Sequence, residues 1–169
     1  RLIAAGRVSW SGGTIVKPAF DLAPKTPLTV EADPEDRFVS RGGLKLAGAL
    51  AETGLSADSK CCLDVGQSTG GFTDCLLQAG ASHVVGVDVG HGQLHARLAG
   101  DPRVTALEGI NCRALSPADL GEALPKGGFA LIVGDVSFIS MTLILPQLPA
   151  LLAADGDLLV LIKPQFEVG

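Results

Sequence analysis

Basic charge is in short supply in this chain of 169 residues: 13 Lys and Arg stand against 18 Asp and Glu, a formal net charge of −5 at pH 7. That balance counts against an extended phosphate-binding surface, which needs Lys and Arg, although a net value can hide a local basic patch. Cysteine is sparse and unpatterned. Cys61, Cys62, Cys75 and Cys112 form no C-x-x-C, and two of them are adjacent in an apolar run, so reduced core thiols in a cytoplasmic protein are expected. His91 and His95 have the i, i+4 spacing of a helical metal pair, but no third ligand accompanies them, and no metal is expected. A long uninterrupted apolar run is missing too. The most apolar stretch, "MTLILPQLPALLAADGDLLVLI", is broken by Pro146, Pro149, Asp155, Gly156 and Asp157, which excludes a membrane-spanning helix. There is no visible signal peptide, internal repeat or low-complexity segment.

What is present is the material for a buried core. Apolar residues make up 47% of the chain and charged residues 18%, a composition that argues against disorder. Residues 1–31 form one unit, with short β segments around Val8–Trp10, Thr14–Val16 and Leu28–Val30 separated by Gly12-Gly13 and by prolines, after a short helix end closed at Gly6. A polar linker at 32–39 comes next, then a helix with Leu44, Leu46, Leu50 and Leu55 on one face. From Lys60 the pattern alternates. Strand-like runs at Cys61–Val65, His83–Asp88, Val104–Leu107, Phe129–Asp135 and Asp157–Lys163 are separated by helix-like runs near Gly71–Ala79, Gln93–Ala99, Pro117–Leu124 and Met141–Leu152. Strands this apolar are buried on both faces, so the β-α-β-α series implies an α/β, doubly wound, mostly parallel sheet of the Rossmann-like kind over residues 40–169.

The turn "DVGQSTGGFTD" after the first of these strands reads two ways. Gly66-Gln67-Ser68-Thr69-Gly70 fits the G-x-S-x-G nucleophile elbow. That reading needs an acid and then a histidine on later strands, whereas His83, His91 and His95 all come too early. The second reading is a cofactor loop, in which glycines let backbone approach a ligand beyond the strand ends. Asp88 closes the next strand 22 positions after Gly66, where a carboxylate can accept hydrogen bonds from a ribose diol. The D-x-G-x-x-x-G spacing differs from the dinucleotide pattern and suits S-adenosylmethionine. Three further charges stand out: Lys45 inside an apolar helix, Asp135 at one strand end and Lys163 at another. A charge at the end of an apolar strand is costly unless it has a partner or a task, so these are either a strand-end salt bridge or catalytic groups.

Taken together, "VSRGGLKL", "DVGQSTGGFTD", "GVDVGHGQL", "DVSFIS" and "KPQFEVG" resemble the TlyA (hemolysin-A-like) ribosomal RNA 2′-O-methyltransferases, which are related to the FtsJ-like methyltransferases. The first 31 residues, through "RLIAAGRV" and "VKPAFDL", resemble the second half of an RNA-binding module of the ribosomal-protein-S-four type. The resemblance implies S-adenosylmethionine as cofactor and ribosomal RNA or ribosomal subunits as partner, with no membrane. It implies cofactor contacts at Asp64, Gly66, Ser68, Gly70, Gly71, Phe72 and Asp88, with Asn111 near the adenine. It also implies a Lys-Asp-Lys-Glu tetrad whose first three members are Lys45, Asp135 and Lys163, the Glu lying in a later motif that these residues do not reach. Gln67 stands where many relatives carry a small residue.

A ribose 2′-hydroxyl is a poor nucleophile at neutral pH and must lose its proton as it attacks the sulfonium methyl. A neutral lysine can accept that proton, and burial together with a second nearby lysine favours the neutral form. The roles implied are Lys163 as base, Asp135 as its orienter and Lys45 as a second positive charge. The alternative is a non-catalytic RNA-binding or ribosome-assembly factor that keeps the fold; a membrane-active hemolysin has no amphipathic basic stretch to support it. The first residue is Arg rather than Met and the last comes just after an apolar run, so the sequence is expected to be a fragment, catalytically incomplete without the tetrad Glu and the basic half of the RNA-binding module.

Overall fold

The computed structural model describes residues 2–31 and 37–167; residues 32–36 of the expected linker lie outside the described residues, as do 1, 168 and 169. The chain divides into two compact units, Arg1–Arg37 and Phe38–Gly169. In the first, β1 (Val8–Trp10) pairs antiparallel with β2 (Gly13–Ile15) on one side and β3 (Thr29–Val30) on the other. The guanidinium of Arg7 donates to the carbonyl of Glu31 at 2.7 Å, tying the two ends of this sheet together. The opening residues are turns, closed at Gly6 as a helix end is: Gly6, at φ +70°, donates its N–H to the Ile3 carbonyl at 3.0 Å, and Arg7 N–H donates to the Leu2 carbonyl at 3.1 Å.

The second unit carries α1 (Gly42–Thr53), β4 (Cys61–Val65), α2 (Gly71–Gln78), β5 (His83–Asp88), α3 (Ala96–Ala99), β6 (Val104–Glu108), α4 (Pro117–Leu120), β7 (Phe129–Gly134), β8 (Leu152–Val160) and α5 (Pro164–Glu167). Its five strands form one parallel sheet in the order β6-β5-β4-β7-β8. The chain starts at the centre with β4, moves outward through β5 and β6, then returns across the sheet to β7. Strand order therefore reverses between β4 and β7, and a crevice opens beyond their carboxyl ends.

Both faces of the sheet are covered, which explains strands with almost no polar residues. On one face Cys62, Val84, Leu131 and Val133 pack against Leu46 of α1 and Phe72 and Leu76 of α2. On the other, Leu63, Val65, Val85, Val87 and Ile132 pack against Met141, Ile144, Leu148 and Leu151. Alternation along β4 places Asp64 on the same face as Cys62, beneath α2.

Two elements depart from the sequence expectation. The stretch 141–152 is not an α-helix but two 3₁₀ turns, Met141–Leu143 and Leu145–Ala150. Pro146 and Pro149 remove the backbone donors an α-helix would need there. Strand β8 begins at Leu152 and ends at Val160, because the polar stretch around Asp155–Asp157 is accommodated as an irregularity in the β7–β8 register rather than as a loop. Lys163 thus lies beyond the strand, ahead of α5.

Of the three glycines in helix α1, two make opposite demands. A methyl group on Gly43 would overlap the ring of Phe38, whereas one on Gly48 would meet nothing within 4 Å. Gly48→Ala is therefore expected to raise unfolding stability by about 0.5–1 kcal/mol through helix propensity, and Gly43→Ala to lower it by about 1–3 kcal/mol through overpacking. Urea unfolding of both variants checks the opposite signs.

Candidate functional site

After β4 the chain turns between the ends of β5 and β7. The N–H groups of Gly66 and Gln67 both donate to the carbonyl of Val87, at 2.9 and 3.1 Å, and Asp135 N–H donates to the carbonyl of Val65 at 3.1 Å. Gly66 has φ +85°, and a methyl group there would lie 2.9 Å from the Asp135 carbonyl oxygen. Ser68 occupies the left-handed region at φ +50°, a conformation held by Asp88: Ser68 N–H donates to its Oδ2 at 2.8 Å, and Gly90 N–H to its Oδ1 at 2.7 Å. Gly70, at φ +92°, is the left-handed residue from which α2 starts. Gly71 allows α2 to touch α1, since its Cβ would lie 3.0 Å from Gly43 N.

Behind this loop runs a buried polar chain. Gln67 Nε2 donates to Thr73 Oγ1 at 3.0 Å, and Thr73 Oγ1 donates to Asp64 Oδ2 at 2.7 Å. The Gln67 side chain lies over Gly86 of β5, where a methyl group would overlap its amide. Asp64 has 0% exposure and its Oδ1 has no hydrogen-bond partner. Burial pushes its carboxyl up to about 7, against the opposing hydrogen bond from Thr73 and with help from the charges of Asp135 and Asp88. Asp64 was expected at the cofactor. Being wholly enclosed beneath α2, it supports the loop from behind and presents no surface to a ligand.

The three charges singled out in the sequence meet at the crevice. Asp135 directly follows β7, and its carboxylate lies between two ammonium groups: Lys163 Nζ at 2.5 Å from Oδ1 and Lys45 Nζ at 3.5 Å from Oδ2. Lys163 also donates to Ser137 Oγ at 2.8 Å. Asp135 and Lys163 are 17% and 16% exposed and Lys45 52%, so the cluster carries a net positive charge toward solvent. Lys45 reaches it because the start of α1 is tied to α2, where the buried Asp74 carboxylate accepts Val39 N–H at 2.8 Å.

Two cavities adjoin at this point and share Gly66, Ser68, Asp135 and Ser137. One, of about 710 Å³, holds Arg41, Lys45, Gly71, Phe72 and Lys163. The other, of about 560 Å³, is bounded by Asp88, Asn111, Val136, Phe138, Ile139 and Ile144. Gly70 lines neither and acts through the start of α2. Asn111 reaches the second cavity while its side chain caps the turn Cys112–Ala114, accepting Arg113 N–H at 3.1 Å. Cys112 lies alongside, its thiol pushed up to about 11 by burial and by the Asp88 charge, which leaves it inert as a nucleophile. His95 caps α3 by accepting Arg97 N–H on Nδ1.

Sequence reasoning did not find Ser137, Phe138, Thr73 or Asp74. Ser137 and Phe138 lie within "DVSFIS", directly after the strand-end acid, so their position was a usable signal. The left-handed backbone of Phe138, φ +63°, and its 92% exposure were not legible.

Residues 38–169 match the family described as FtsJ-like methyltransferase. Over 168 residues, 99% of its length, the chain is 48% identical to a Mycobacterium tuberculosis protein named 16S/23S rRNA (cytidine-2′-O)-methyltransferase TlyA, and it spans 61% of that protein. It is 41% identical to Hemolysin A of Brachyspira hyodysenteriae, covering 98% of this chain and 67% of that one. A solved structure from Streptococcus thermophilus whose name carries the word hemolysin superposes with TM-score 0.77 at 43% identity, over 99% of this chain and 60% of that one. An S-adenosylmethionine dependent methyltransferase from Mesorhizobium loti shares the fold, with TM-score 0.53 at 22% identity over 66% of this chain and 49% of that one. Among the described residues no helix is long and apolar enough to cross a membrane.

The buried Asp64 generates a pH signature. Its carboxyl titrates near 7 in the folded chain against an ordinary value of 3.8, so the folded state holds a proton that the unfolded state has lost between those values. The stability linked to that proton is complete below about pH 4 and is lost as pH rises through 7. Asp64→Asn removes the titration, so its melting temperature should fall several degrees less than the wild-type value between pH 5 and pH 8.5. Parallel pH dependence in the two proteins would show that Asp64 titrates normally.

Proposed function

We propose a function from one premise: this chain belongs to the FtsJ-like methyltransferase family. Our reading is that it transfers a methyl group from S-adenosylmethionine to a ribose 2′-hydroxyl of ribosomal RNA, at a cytidine, in the cytoplasm. The observation that carries the reading is the Lys45–Asp135–Lys163 cluster standing beside the glycine loop in one crevice.

The residues lining the crevice suit this cofactor. Only glycine can pass the Asp135 carbonyl at position 66, which leaves loop backbone free to run beneath an amino-acid tail. Asp88 stands at the end of β5, where its carboxylate keeps lone pairs for a ribose diol. The apolar floor of Val136, Ile139 and Ile144, with Asn111 at the edge, suits an adenine. Gly66, Ser68, Gly71 and Phe72 would hold the cofactor on the side of the charged cluster, with Gly70 setting the entry to α2. When bound, S-adenosylmethionine supplies an electrophilic methyl group on a sulfonium.

The chain's own residues then act on the nucleophile. Lys163, once its ammonium has given a proton to solvent, accepts the proton of the 2′-hydroxyl. Asp135 and Ser137 fix its Nζ from two directions. Lys45 supplies positive charge beside the oxygen as negative charge develops on it, and alignment of hydroxyl and methyl supplies much of the remaining acceleration. Arg41, in the same cavity, offers a phosphate contact. We assign residues 1–31 to RNA contact and 40–169 to the methyltransferase domain.

A non-catalytic RNA-binding factor would have no need to hold two lysines around one half-buried carboxylate at the cofactor loop. The two readings separate in the full-length protein with labelled S-adenosylmethionine and ribosomal particles, the product mapped by primer-extension stops. Lys163→Ala is expected to abolish turnover while leaving cofactor affinity within about twofold, and Lys163→Arg to fail as well, because guanidinium does not give up its proton. Asp88→Ala is expected to weaken cofactor binding by about tenfold or more. An active Lys163→Arg enzyme would remove Lys163 as base.

A further inference from the structure

The cluster depends on two segments that have no regular structure of their own. Asp135 and Ser137 lie in the stretch after β7, and Lys163 lies just past β8. Neither stretch is part of the sheet, and the first contains Phe138 at φ +63°, a conformation costing about 1 kcal/mol or more in a non-glycine residue. Two contacts at the far end join the segments. Glu167, at the end of α5, accepts the Met141 N–H on Oε1 at 2.8 Å and the Ser140 hydroxyl on Oε2 at 2.5 Å. The rings of Phe138 and Phe166 meet with centroids 5.5 Å apart. Ser140 in turn accepts the Thr142 N–H at 3.1 Å, so the carboxylate closes the start of the turn Met141–Leu143.

We propose that Glu167 is a positioning residue for the methyl-transfer site, clamping the segment that carries Asp135 and Ser137 to the segment that carries Lys163. This rests on the function proposed above. Glu167 comes four residues after Lys163, and its partner Ser140 five after Asp135, so the clamp closes a short ring of chain through Lys163, Asp135, Ser140 and Glu167. Opening that ring at Glu167 leaves only the Lys163 contacts with Asp135 and Ser137 and the exposed Phe138–Phe166 ring contact between the two segments. Glu167 is not itself a fourth member of the charged cluster: its two oxygens face Ser140 and Met141, and those two hydrogen bonds hold its carboxyl below the usual range.

The test compares wild type, Glu167→Gln and Glu167→Ala in the full-length protein. The Gln variant keeps a carbonyl oxygen for the Met141 N–H; the Ala variant keeps nothing. Glu167→Ala is expected to lower kcat by roughly tenfold or more through lost alignment, with KM for ribosomal particles and Kd for S-adenosylmethionine within about twofold, and Glu167→Gln to recover most of kcat. Amide hydrogen exchange, read without any turnover, is expected to quicken across 136–141 in Glu167→Ala and not in β7. Unchanged kcat in Glu167→Ala, or Gln and Ala variants losing kcat, KM and melting temperature alike, overturns the clamp. Unchanged exchange across 136–141 overturns it even if the wild-type protein transfers no methyl group, an outcome that would remove the proposed function separately.

Discussion

Gly66 passes the end of β7 so closely that even a methyl group would press on the carbonyl oxygen of Asp135. That approach is the constraint on which the crevice depends. Parallel strands β4 and β7 are neighbours in the sheet but lie far apart in sequence, and the turn leaving β4 must clear the start of the segment leaving β7. Because it clears it with no side chain in between, the backbone of the loop and the carboxylate of Asp135 share one wall, and the two cavities meet there. Two candidate groups are placed by reference to this crossing, Asp88 through its bond to Ser68 and Lys163 through Asp135, while Lys45 is brought to the same wall by the contact of α1 with α2.

Polar groups behind the crossing stiffen it. Gln67, Thr73 and Asp64 form a chain of donors and acceptors that ends on a carboxylate with one unsatisfied oxygen. A buried acid in that condition costs stability when ionised. Its place beneath the loop makes sense if the loop's conformation, including the left-handed Ser68, must be held in one state. Gln67 also shows how a larger side chain is admitted to this turn: it lies back over Gly86 in β5, where no other residue would leave room.

At the front, the charges are arranged differently. One carboxylate between two ammonium groups leaves a positive excess facing the crevice, in a chain whose overall balance is acidic. The net charge that counted against a phosphate-bearing partner is thus a poor guide to the field at this one place, where Arg41 adds to the same sign.

Strands β4 and β5 could be delimited residue by residue from the sequence, since each is a short apolar run bounded by turn residues and both faces are buried. The loop glycines, Asp88 and the strand-end position of Asp135 were legible for the same reason: parallel topology sends the residues leaving each strand to one edge of the sheet. Strand β8 was misjudged at both ends because it absorbs a polar irregularity by shifting register, which depends on its neighbour and not on its own pattern. The helix expected over 141–152 had the right apolar spacing, but its prolines left only 3₁₀ turns. The sequence by itself therefore determined the sheet, the crevice edge and the identity of three charged candidates. Only the tertiary structure decided that Asp64 faces inward, that Ser137 bonds Lys163 and Glu167 bonds Ser140, and that Lys45 reaches Asp135, because each of these depends on contacts between segments far apart in the chain, whose distances no local pattern encodes.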